Sequence, residues 1–346
     1  MTLTRSLALA ALAAALPTLG ARAAVAQHPA SHNAPVPNTT ASDQRAPAAP
    51  DLSALPASAV GTIVVAHGGD SLWNALVRRA AADARTGGPV EVSFLMGPGA
   101  RTARFQDAVA RLAARGARAA VVVPALVSSH SGHYDQIRYL AGEPVTLDSD
   151  MQHHLQMADI ARPEGTARLP MRLARAMDDA PEVARVLADR GRALADSLRD
   201  APARRALLIV GHGPNSAEDY AAWMENLRPV ADSVRRWGGF ADVRVELVRD
   251  DAPAAVRAEA VRRVRELVEL QRAATGRDVL VVPVLVSKGQ VSRDKLPADL
   301  RGTASVYAGE PLLPHPAMAR WIERRTAEAR AAASGPSARG VTGGVR

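Results

Sequence analysis

Two histidines close apolar runs in this chain. His67 ends "TIVVAHGGD" (Thr62 to Asp70), and His133 ends the longer segment "AAVVVPALVSSHSGH" (Ala119 to His133). Neutral imidazole is a common nitrogen ligand for divalent cobalt, nickel, iron and zinc, and it accepts a proton near neutral pH. Two such groups in one crevice could hold a metal ion and relay protons. His130, in the same loop as His133, is a third candidate ligand. Both segments recur. "ALLIVGHGPN" (Ala206 to Asn215) carries His212, whereas "DVLVVPVLVSKGQ" (Asp278 to Gln290) has no histidine in its loop. The unequal copies predict one metal site, with His67 and His133 as catalytic residues and His67, His133 and His130 as metal ligands. His153 and His154 read as loop residues, and His28 and His32 as incidental.

Short buried strands must position these residues. The first copy offers strands at Thr62 to Ala66, Val90 to Leu95 and Ala119 to Val127, with a weaker fourth at Pro144 to Leu147. Helical patterns fall between them at Leu72 to Arg85 and Arg101 to Arg115. The second copy offers strands at Ala206 to Val210, Val243 to Val248, Val279 to Val286 and Ala304 to Ala308, with a long helix at Pro253 to Ala274. Continuous Val/Ile/Leu runs indicate strands covered on both faces, hence parallel sheets flanked by helices. Even the ends rhyme, "YLAGEPV" from Tyr139 and "VYAGEPL" from Val306, so two pseudo-symmetric α/β lobes are expected. In an open parallel sheet the ligand crevice lies beyond the carboxyl ends of the strands, where His67 and His133 fall.

The expected organisation is a signal peptide at 1–26, a disordered tether at 27–57, lobe 1 with the metal site at 58–150, a helical connector at 151–203, lobe 2 at 204–330 and a disordered tail at 331–346. Arg5, the apolar run Ser6 to Leu16 and the small-residue site before Gln27 form an export signal. The mature protein is therefore expected outside the cytoplasm, periplasmic or secreted, with no stable membrane span after cleavage. An uncleaved anchor is the alternative.

A chain of 346 residues with 47% hydrophobic content suffices for two cores. Its net charge of +8 is almost all arginine, and aromatic residues make up only 3%, so no nucleic-acid partner is expected. Cysteine is absent, which leaves nitrogen and oxygen donors for a metal. No phosphate-cradling motif appears, so no nucleotide is expected. The internal duplication favours a self-sufficient monomer.

"AHGGD", "VSFL", "ARAAVVVPALVSSHSGH" and the closing "PLLPHPAMARWIERR" (Pro311 to Arg325) resemble the sirohydrochlorin cobaltochelatase/ferrochelatase family, the class II chelatases, over roughly Val60 to Arg330. The resemblance implies ATP-independent insertion of a divalent metal (Co, Fe or Ni, with Zn possible) into a sirohydrochlorin-type tetrapyrrole. It implies that His67 and His133 hold the incoming metal and accept the pyrrole N–H protons. It also shows departures. Met96 stands where the family carries a carboxylate, the loop after His133 reads "YDQIRYL" in place of the family's basic and acidic run, with Asp135 a partial substitute there, and Gln290 stands where a second copy of His133 would. Lys288, Arg293, Lys295 and His212 are expected to bind the polycarboxylate tetrapyrrole, lobe 2 gripping the ligand while lobe 1 handles the metal. The alternative is an exported metal- or tetrapyrrole-binding protein that has lost catalysis.

Overall fold

The computed structural model describes residues 51–163 and 168–332. The expected signal peptide, the expected tether as far as residue 50 and the expected tail from residue 333 lie outside the described residues. The most continuously apolar runs form the central strands. β1 (Val60–Ala66) and β3 (Ala119–Ala125) are buried along their whole length. They pair in parallel with each other. β2 (Val90–Phe94) pairs with β1 and β4 (Met171–Leu173) with β3, giving the order β2-β1-β3-β4. The second sheet repeats this with β5 (Ala206–Gly211), β6 (Asp242–Leu247), β7 (Val279–Val284) and β8 (Ser305–Tyr307) in the order β6-β5-β7-β8, again all parallel. The chain is thus a two-lobed α/β protein, and all strands of a sheet deliver their carboxyl ends to one edge.

Two boundaries differ from expectation. The fourth strand of lobe 1 is not Pro144–Leu147, which is irregular, but Met171–Leu173, inside the stretch read as a connector. It is short and only partly buried, so its residues carry little strand signal. The rhyming "AGEP" segments also fold differently. Tyr139 lies in helix α3 (Gly132–Ala141), whereas Tyr307 lies in strand β8. Ordered structure begins before residue 57 as well, since Leu52 is in the core and Arg330 donates to the Leu55 carbonyl.

Each sheet lies among helices: α1 (Ser71–Asp83), α2 (Phe105–Ala114), α3 and α4 (Ser149–Met157) in lobe 1, and α6 (Ala217–Gly238), α7 (Ala254–Thr275) and α8 (Leu296–Asp299) in lobe 2. The remaining two, α5 (Pro181–Ser197) and α9 (Pro316–Ala331), are exchanged between lobes. The backbone leading into α5 bonds Met177 N to Leu126 O and Asp178 N to Val127 O. The backbone leading into α9 bonds Leu312 N to Leu285 O and Leu313 N to Val286 O, so the two helices occupy matched positions. Each starts on a proline, which suits a first turn with no N–H to satisfy. Yet α5 packs on α6 and β7, and α9 packs on α1, β3 and β4. Trp321 of α9 is the largest fully buried side chain. Arg324 of α9 grips Glu182 of α5 through two bonds of 2.8 and 2.7 Å. One apolar core therefore runs through both lobes, from Val64 to Leu207 and Ile209. This fixes the two sheet edges relative to each other.

Candidate functional site

His67 follows the last residue of β1, and His133 sits in the first turn of α3, just past β3. The rings meet edge to face with centroids 4.7 Å apart. Their tautomers follow from their partners. The Gly68 carbonyl, 2.8 Å from His67 Nδ1, can only accept, so Nδ1 carries the proton and Nε2 keeps its lone pair. His133 Nδ1 lies 2.8 Å from Gln136 Oε1. The Gln136 amide is oriented by donating through Nε2 to the Met151 carbonyl at 2.7 Å, so its oxygen faces His133 and accepts from Nδ1–H. Both imidazoles therefore offer Nε2 as a donor, oriented by a partner on the other nitrogen as metal-binding histidines commonly are.

Gly68 makes this corner possible. Its φ is +97°, and a Cβ there would lie 2.2 Å from the Met96 carbonyl oxygen. A Gly68→Ala protein is expected to lose about 1–3 kcal/mol of stability from the left-handed backbone alone, and to lose cobalt affinity as His67 is displaced. Thermal melting and a Co²⁺ titration check this; an unchanged melting temperature would contradict it.

Burial disfavours the imidazolium form at His67 more than the Gly68 carbonyl favours it, and its pKa falls below the ordinary value. Burial, reinforced by His67, pushes His133 down to about 4 from 6.5. Both rings are neutral at neutral pH, the state a metal requires. As pH falls from 6.5 towards about 4, the unfolded chain takes up a proton at His133 that the folded chain refuses. Stability contributed there is present above pH 6.5 and lost on acidification. His133→Asn should shrink the drop in urea midpoint between neutral pH and about pH 4; a drop equal to that of the parent would sink this reading.

Lobe 2 repeats the backbone but not the chemistry. His212 Nδ1–H donates to Gly213 O at 2.8 Å, as His67 does to Gly68. Met96 N donates to the His67 carbonyl; in lobe 2 the donor to the His212 carbonyl is Asp250 N. Asp250 thus matches Met96, shifted one residue by Arg249, whose φ is +50°. The carboxylate missing from lobe 1 is present in lobe 2. Asp250 is buried and committed to Lys295 and Arg257, 2.5 and 3.0 Å away. The next residue, Asp251, is exposed and lies 3.2 Å from His212 Nε2. Burial opposes a charge on His212, but the Asp251 carboxylate outweighs it and raises its pKa, while the bond from His212 holds Asp251 below the ordinary carboxylate range. Asp251 also raises the pKa of both His67 and His133, but weakly, behind burial and nearer groups.

The other expected site residues divide. His130 is exposed and does not join the pair in a compact ligand set; what it contributes is its carbonyl, which accepts Trp223 Nε1 at 2.6 Å across the lobes. Among the described residues, the one group of three His or acidic residues with ligand atoms within 4.8 Å of one another is His212, Asp250 and Asp251. His154, expected in a loop, is on α4 and stacks on His133 with centroids 6.0 Å apart. The cationic rim is already paired: Lys288 with Glu310, Arg293 with Asp70 across the lobes, Lys295 with Asp250. Asp135 is bound to Arg138 on its own helix. Counted along the strands from the matched Pro124 and Pro283, the counterpart of His133 is the buried Ser292, and Gln290 matches Ser131.

A family model, CbiX, matches residues 61–194 and matches again over 206–329. The chain belongs to the CbiX family. The two CbiX matches coincide with the two sheets and their helices, so the duplication seen in the sequence is a duplication of the family unit. Among solved structures, SirB from Bacillus subtilis with Fe³⁺ is similar, with a TM-score of 0.51 and 15% identity over 79% of this chain and 96% of that one. The sirohydrochlorin chelatase SirB from Bacillus subtilis subspecies spizizenii, in complex with cobalt, gives 0.50 and 13% over 78% and 95%. These likenesses establish a chelatase-type fold. No curated protein matches by sequence. Among the described residues, no helix is long and apolar enough to cross a membrane.

Proposed function

We propose that this CbiX-family protein inserts a divalent metal, cobalt, iron or nickel, into a sirohydrochlorin-type tetrapyrrole without a nucleotide, and that it does so outside the cytoplasm as a monomer. The observation that carries the reading is the His67–His133 pair, rings 4.7 Å apart, held neutral with both Nε2 lone pairs uncommitted. The metal enters as a substrate. Insertion breaks two pyrrole N–H bonds, joins the metal to the ring nitrogens and releases two protons. His67 and His133 hold the metal through Nε2; once it passes to the macrocycle, the same nitrogens accept the protons. Asp251, steadied by His212, offsets the positive charge that then builds up.

Family membership and the iron- and cobalt-bound SirB structures support the metal class. The export signal in the sequence supports the location. Pairing of Lys288, Arg293 and Lys295 with carboxylates means that a polycarboxylate ligand has to displace Glu310, Asp70 or the buried Asp250 to reach them, so lobe 2 grips the ligand by partner exchange rather than through free cations. The test is absorbance of sirohydrochlorin mixed with Co²⁺ or Fe²⁺ and the protein. Catalytic acceleration over the protein-free rate supports chelation; a spectral change that stops at one equivalent of protein indicates a carrier and overturns it.

A further inference from the structure

Beside the histidine pair, the segment between α3 and β4 has no counterpart in lobe 2, where α8 leads almost directly into β8. It contributes α4, which with the end of β2 borders an open cleft of about 400 Å³. Met96, Arg101, His153 and Met157 line it, and among the described residues no acidic one does. The cleft adjoins the metal site through both of its histidines. Met96 N donates to the His67 carbonyl at 2.7 Å, and His154, also in the lining, stacks on His133. A macrocycle centred on the pair is wide enough to reach the cleft with one edge.

The walls are braced before any ligand arrives. Gln106 Nε2 donates to the Asp159 carbonyl at 2.7 Å and its oxygen accepts from Ala161 N at 3.2 Å, while Arg104 pairs with Asp159. Near its start, α4 offers the Met151 carbonyl to Gln136, the residue that orients His133. A site held in shape in advance loses less freedom on binding. Charge decides what fits it. Lys288, Arg293 and Lys295 are each paired with a carboxylate, whereas Arg101 has no acidic partner among the described residues. Its Nη2 donates to the Met157 carbonyl at 3.1 Å, which holds the guanidinium at the cleft. That bond engages one donor of a group that carries several. The remaining donors suit a carboxylate, which a guanidinium takes through two parallel bonds. The thioether and imidazole surfaces beside it suit the rim of a conjugated ring.

We infer that the α4 cleft seats one carboxylate-bearing edge of the tetrapyrrole, with Arg101 binding the carboxylate and so orienting the ring over His67 and His133. The inference rests on the reading that a tetrapyrrole is the substrate. It places one grip on the ligand in lobe 1, where no acidic partner has to be displaced.

Titration of the full chain into metal-free uroporphyrin, a porphyrin carrying acetate and propionate arms, tests it without turnover, with porphyrin fluorescence as the readout. Arg101→Gln is expected to weaken binding about 3- to 5-fold, the upper range for a solvent-screened charge pair, and Arg101→Glu about 10- to 25-fold, because reversing the charge doubles the free energy. Arg101→Lys should keep most of the affinity, and added salt should narrow the gap between parent and Arg101→Glu. Arg118→Glu makes the same change in net charge at an exposed position beside the amino end of β3, the far edge of the sheet, and should stay within about twofold of the parent. Co²⁺ affinity should be the same in all of these proteins. Parent-like porphyrin affinity in Arg101→Glu, or an equal loss in Arg118→Glu, overturns the inference and leaves chelation standing. A Co²⁺ affinity that falls in step with porphyrin binding makes Arg101 a structural residue and overturns it too. A parent that binds no porphyrin overturns the tetrapyrrole reading itself, and this inference with it.

Discussion

His133→Ala is expected to lower the rate of metal insertion by about 10²- to 10⁴-fold, the range for losing a positioned proton acceptor, and His67→Ala by a similar factor. Both residues are asked to do two jobs, to hold the metal and then to accept a proton. Their effects should therefore not multiply: once one Nε2 is gone, the second ring cannot hold the ion in place, and the double variant should be scarcely worse than either single one. Gln136→Leu provides a graded companion. Gln136 is fully buried and does not reach the metal, yet its amide fixes the proton on His133 Nδ1. Its loss should weaken Co²⁺ binding by about 10- to 100-fold, as outer-sphere losses do. Stopped-flow absorbance on the tetrapyrrole and a parallel Co²⁺ titration measure both quantities. Equal rates in parent and His133→Ala would contradict the assignment.

Asp251→Asn is expected to slow insertion by about 2- to 5-fold, as loss of a solvent-screened charge pair does, while leaving Co²⁺ binding to His67 and His133 nearly unchanged. The reason is position. Asp251 belongs to the other lobe and bonds His212, not the metal-holding rings. Its field reaches both of them weakly, and it matters most when released protons make them cationic. His212→Asn should show a smaller effect of the same kind, because it loses the charged partner that holds Asp251 in place. A Co²⁺ affinity that collapses in Asp251→Asn would make the carboxylate a ligand instead.

The strand-borne histidines were legible because the signal is local. A buried β-branched run predicts the strand, and the residue after it falls at the crevice whatever the rest of the chain does. The carboxylate was not legible. Met96 suggested an acid lost from the site, but the acid sits in lobe 2, past β6, displaced by the left-handed Arg249, and only the matched bonds to the His67 and His212 carbonyls reveal the correspondence. His154 was missed because its placement depends on how an inserted helix packs against α3. The helix pattern of α5 could be read, but an apolar face does not name the sheet it covers, and α9 had no helix reading at all, so the exchange between lobes was hidden. The pairing of Arg293 with Asp70 joins residues 223 positions apart, beyond any local reading.

The central claim is that His67 and His133 together take the incoming metal. X-ray absorption and a crystal structure of the protein with one equivalent of Co²⁺ test it directly. The account predicts cobalt bound to Nε2 of both His67 and His133 at about 2.0–2.2 Å, the range for imidazole on a first-row divalent ion. Cobalt bound at His212, Asp250 and Asp251, with His67 and His133 empty, would contradict it.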